Sequence, residues 1–122
     1  MTARNDPILE RFLRNQAEIV RRMAAQTARV SYTCNHSRAP DRYMFHMRCR
    51  GLVRDVDGAV REWLEFVFGV RIPADYLRSP DMRRIVTMQA PLNVFHPNVR
   101  GPACCVGALA PGTPVWLSLI HI

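Results

Sequence analysis

A chain of 122 residues can bury one hydrophobic core but not two, so residues 1–122 read as a single domain. Its composition is 48% hydrophobic and 22% charged, and no apolar run approaches the roughly 18 residues of a membrane span, which excludes a helical membrane protein. The formal charge of +7 comes from 17 basic residues that are all arginine, scattered from Arg4 to Arg100 without aromatic interleaving, which argues against a nucleic-acid surface.

Met1 to Asp6 is polar and carries neither an apolar signal core nor a cleavage site, so the expected compartment is the cytoplasm. Asp6-Pro7 predicts a helix start, with Asp6 as cap, Pro7 pre-set for the first turn and Glu10 suited to the positive end of the dipole. The helix should run to about Gln26. Leu9, Phe12, Leu13, Val20, Met23 and Ala24 recur at three- and four-residue spacing as one apolar stripe, and Arg11, Arg14, Glu18, Arg21 and Arg22 lie largely off it. That arginine face is either solvated or docks an acidic partner.

Ala28 to Cys34 predicts a first strand, closed by the turn-rich Asn35 to Asp41. From Tyr43 the pattern alternates: Tyr43, Phe45, Met47 and Cys49 should face the core, and Met44, His46, Arg48 and Arg50 the other side. Asp55-Val56-Asp57-Gly58 predicts a hairpin turn. Glu62 to Ile72 is the third expected strand, with Leu64, Phe66, Phe68 and Val70 on one face, and Arg84 to Met88 a short fourth. The expected fold is therefore α+β, with an N-terminal helix on one face of a four-stranded antiparallel meander that leads into an irregular loop.

Val94 to Val115 concentrates the chemistry. Pro97, Gly101, Pro102, Pro111, Gly112 and Pro114 exclude a long helix or a central strand there, which leaves a shaped surface loop of the kind that carries function. Of four cysteines, none forms a Cys-x-x-Cys pair, so neither a metal nor a cofactor is expected, and free thiols fit a reducing compartment. Cys34 and Cys49 fall in strand-like segments and read as small buried hydrophobes. Cys104 and Cys105 sit in the loop itself.

Phe95-His96-Pro97-Asn98, followed by a glycine and then a cysteine before Val106, resembles the active-site segment of ubiquitin-conjugating enzymes. The resemblance covers most of the chain, because Ile72-Pro73-Ala74-Asp75-Tyr76 after the third strand and the element order are also similar. The run from Cys105 to Pro114 looks more like bacterial relatives. The resemblance implies that a thiolate accepts a ubiquitin-like protein from an activating enzyme as a thioester and passes it to a target or ligase. Bacterial sets of this type are associated with antiphage defence. A serine in the same place would give too inert an ester.

Cys105 fits the loop length better and precedes Val106, where relatives have Leu or Val; Cys104, three residues after Gly101, fits another register and is the second candidate nucleophile. Cys105 should be at least partly exposed near Asn98, with Cys104 more buried. Asn98 is a candidate oxyanion donor, or a residue that closes the turn. His96 and Pro97 read as structural, not as a base and its neighbour. Arg11, Arg14, Arg21 and Arg22 would meet an acidic patch of the activating enzyme. The lack of lysine reflects either codon composition or a surface that offers itself poorly as an acyl acceptor.

Three features depart from the family pattern. Cys105 follows Asn98 by seven positions (105 minus 98), no Asp or Glu occurs after Asp81, and Val115 to Ile122 only begins an apolar segment where family members continue into further helices. Those helices are therefore expected to be truncated or absent. The alternative function is a non-catalytic module of the same fold that binds a ubiquitin-like protein or partner without turnover.

Overall fold

The computed structural model describes residues 6–78, 85–97 and 99–104. Helix α1 spans Pro7–Ala25. Asp6 starts it as expected: its backbone is extended and its carboxylate accepts from the N–H groups of Ile8 at 3.0 Å and Leu9 at 3.2 Å, which satisfies two otherwise orphaned donors. Leu9, Leu13, Gln16 and Val20 form the buried stripe, and at 3.6 residues per turn the five charged residues from Arg11 to Arg22 fall within an arc of about 100° on the opposite side.

Among the described residues six strands follow: β1 Val30–Cys34, β2 Arg42–Arg54, β3 Val60–Arg71, β4 Val86–Ala90, β5 Val99–Arg100 and β6 Ala103–Cys104. They make one antiparallel sheet in the order β1-β2-β3-β4-β6-β5. Four strands were expected, and the first four are there as a meander. The other two arise within the supposedly irregular loop, because Gly101 takes a φ of 56° and lets Gly101-Pro102 turn the chain tightly back on itself. Pro102 lies in that turn, where it needs no ladder N–H, and its carbonyl accepts from the Met88 N–H at 2.8 Å. The C-terminal helices concern residues outside the described ones.

The core lies on one face of the sheet. Tyr43 and Phe45 of β2 stand opposite Val70 and Phe68 of β3, which in turn oppose Val86 and Met88 of β4, and α1 adds Leu9, Leu13 and Val20 to the same cluster. The Tyr43 and Phe45 rings stack at 5.5 Å, and Phe12 meets Tyr76 at 5.6 Å. The turn at Asp55 to Ala59 closes the long β2–β3 hairpin with Gly58 at a φ of 88°, as the sequence predicts.

Two residues expected in the core are not there. Leu64 is 60% exposed and Cys49 is exposed. The β2–β3 register shifts between Arg48 and Gly51, so Cys49 and Arg50 bulge out opposite Leu64 and the alternation changes phase. Past the bulge, the ring of Phe66 lies against Gly51 so closely that a Cβ there would stand 2.4 Å from its Cζ. The outer end of β2 finds a different partner: Val53 bridges Val94, Arg54 donates to the Asn93 carbonyl and Phe95 to the Leu52 carbonyl, both at 2.8 Å.

Candidate active-site loop

The pairing of Asn93 to Phe95 with the end of β2 delivers the chain to His96. There the Val99 N–H donates to the His96 carbonyl at 3.1 Å, closing a turn with Pro97 at its second position, where a fixed φ helps. His96 is half-buried and Pro97 exposed. Asn98 lies outside the described residues. Val99 then enters β5 and points inward at 3% exposure, and the Gly101-Pro102 turn returns the chain so that Cys104 pairs with Val99 and Arg100 with Ala103. Thr87 of β4 pairs with Ala103 and ties the small hairpin to the sheet.

Because directly paired residues share a face, Cys104 points inward with Val99. It is 2% exposed and belongs to the main core cluster. Burial raises its thiol from 9.0 to about 11, so at neutral pH it is held as the thiol and not as the attacking thiolate. Cys105, the first candidate, lies outside the described residues. A raised folded-state value contributes stability that is complete below the unfolded value and is lost as pH rises through the folded one. Denaturant titrations should therefore show a fall in stability from about pH 9 to about 11 that is shallower in Cys104→Ala. An unchanged slope would show that this thiol is not buried in solution.

No protein-family model, curated protein or solved structure matches the chain.

Cys34 and Cys49, expected to be buried, are both exposed: Cys34 ends the edge strand β1, where its Sγ reaches the His36 carbonyl at 3.4 Å, and Cys49 sits in the bulge. Among the described residues no group of three or more His, Cys, Asp or Glu could hold a metal ion, and no helix is long and apolar enough to cross a membrane. Arg11, Arg14, Arg21 and Arg22 are all exposed. Glu18 engages both Arg21 and Arg22, the latter at 3.2 Å, and its carboxyl is held below the usual range chiefly by the hydrogen bond from Arg21. Arg11 and Arg14 have no ion pair among the described residues.

One feature beside the loop escaped sequence reasoning. A largely apolar recess of about 160 Å³ opens next to His96, walled by Met47, Phe66, Phe68, Met88 and Phe95 among others. Its walls come from four separate segments, which no local pattern connects. Phe95, at 47% exposure, would otherwise be an unexplained aromatic at the surface.

Proposed function

We propose that the protein is a conjugating enzyme of the ubiquitin-conjugating type, which carries a ubiquitin-like protein as a thioester on Cys105 and transfers it to a target, in a bacterial, antiphage-type system. The observation that supports this most is the pairing of Val99 with Cys104 directly after the His96-Pro97 turn. The two residues that the chemistry needs, Asn98 and Cys105, are covalently attached to that pair. In this reading the Cys105 thiolate attacks the thioester carbonyl at the modifier's carboxyl terminus, the Asn98 amide donates to the oxyanion of the tetrahedral intermediate, and the C–S bond to the activating enzyme breaks to release that enzyme's thiolate. The buried Cys104 serves as the inward anchor of the loop. The test is incubation with an activating enzyme, ATP and a ubiquitin-like protein. A covalent adduct that reductant cleaves is the expected product; stable binding without an adduct would make the protein a non-catalytic module.

The arginine face of α1 is the proposed docking surface for the activating enzyme. Exposed charges act mainly on association, and at low ionic strength they steer partners together. Arg14→Glu with Arg21→Glu should slow loading by about tenfold or more at low salt and much less at high salt. A loading rate indifferent to both the substitutions and the salt would remove α1 from the docking surface.

A further inference from the structure

Strand β1 is an edge of the sheet: it pairs with β2 alone, antiparallel and without a register shift. Arg48 donates to the Arg29 carbonyl at 2.8 Å and Asn35 to the Arg42 carbonyl at 3.3 Å, so the odd-numbered residues of this stretch turn their backbone groups toward β2. The N–H and C=O groups of Val30, Tyr32 and Cys34 therefore point away from β2, and they have no hydrogen-bond partner among the described residues. Val30–Cys34 also contains no proline, no charged side chain and no bulge, the devices that usually blunt such an edge.

The surroundings of this edge are basic. A cleft of about 170 Å³ lies between α1, the end of β1 and the turn after it, with Tyr32 and Cys34 on its β1 side, Arg14 and Arg21 on its helix side and Arg38 from the turn. The one carboxylate that lines it among the described residues, Glu18, is already engaged by Arg21 and Arg22. Arg14 and Arg38 make no ion pair among the described residues.

We propose that the β1 edge receives an extended acidic segment of a partner protein as an added strand. Its backbone completes the hydrogen bonds of Val30, Tyr32 and Cys34. Because side chains alternate across a sheet, every second residue of the added strand rises on the face of Tyr32 and Cys34, the face that α1 and its arginines flank. Carboxylates at those positions complement the charge of the cleft. A second copy of this chain fits worse, since symmetric pairing of two β1 edges would bring together two such arginine-lined clefts on chains that each carry +7. The inference does not depend on the conjugating activity.

The test is an NMR titration of the full chain with a short blocked peptide that alternates glutamate and threonine, against its fully N-methylated counterpart and a peptide that alternates lysine and threonine. The acidic peptide should bind saturably and slow the solvent exchange of the Val30, Tyr32 and Cys34 amides, whereas those of Ser31 and Thr33 face β2 and are protected before it is added. The N-methylated peptide keeps the charge but loses the strand donors, so neither it nor the basic peptide should bind. Cys34→Pro removes one outward N–H at an exposed strand end, where proline is tolerated, and should weaken binding by about tenfold. Arg38→Gln, off the helix, should weaken it by about threefold. Absence of saturable binding, or equal binding of the N-methylated peptide, would overturn the proposal. So would protection of the Val30, Tyr32 and Cys34 amides without peptide: protection that rises with protein concentration would assign the edge to a second copy, and protection at every concentration to another segment of this chain.

Discussion

Cys105→Ser is expected to replace the reductant-cleavable adduct with a reductant-resistant ester or to abolish it, whereas Cys104→Ala leaves loading in place. Removing a nucleophile outright costs orders of magnitude, so thioester formation by Cys105→Ala should fall by roughly a thousandfold or more. What disfavours Cys104 as the nucleophile is its desolvation. Cys104 is packed beside Val99 in the core, and its thiol would have to leave that core and ionise against a value raised to about 11 before it could attack. Non-reducing electrophoresis of the loaded protein, with and without reductant, reads both outcomes. Loss of loading in Cys104→Ala alone would move the nucleophile by one position and require the β5–β6 hairpin to open during the reaction. An adduct that survives the double substitution would end the catalytic reading of this loop.

The second large effect is on stability. Phe45 is fully buried, stacks on Tyr43 at 5.5 Å and lies 5.9 Å from Tyr32, while Phe68 opposes it across the sheet. Phe45→Ala removes a ring that the surrounding strands cannot collapse to replace, and should cost about 3–5 kcal/mol. That is a large share of the roughly 5–15 kcal/mol typical of a domain, and corresponds to a fall in unfolding temperature on the order of 10–20 °C. Leu64→Ala, in the next strand but beyond the bulge, should stay within about 0.5 kcal/mol. Comparable losses at the two positions would mean that the bulge does not turn Leu64 out of the core.

These two substitutions also mark where the sequence was legible. Phe45, Phe66 and Phe68 were placed correctly because alternation is a local signal, and α1 because Asp6-Pro7 and an apolar stripe specify a helix without reference to anything else. Leu64 and Cys49 were misplaced because a bulge changes the phase of a strand through its pairing partner, and a single strand's pattern contains no trace of that partner. β5 and β6 were missed because two residues cannot show a period, and because prolines were read as excluding strands when Pro102 merely occupies the turn between them. For the candidate site, the turn at His96 was legible from Pro97, and the two thiols from their residue type. That Cys104 is buried was expected from the sequence, and the register of Val99 against Cys104 supplies the reason, while Cys105 lies outside the described residues.

The hydrogen bonds that hold Asn93 to Phe95 against Leu52 to Arg54 join the approach to His96 to the far tip of the β2–β3 hairpin. Fraying of that tip therefore cannot happen quietly: any local unfolding that releases Leu52 and Arg54 also loosens the segment that leads into His96, while the β5–β6 hairpin keeps its own ties to β4. The approach to the loop thus draws part of its order from a remote end of the sheet and shares its local stability with the two backbone hydrogen bonds there.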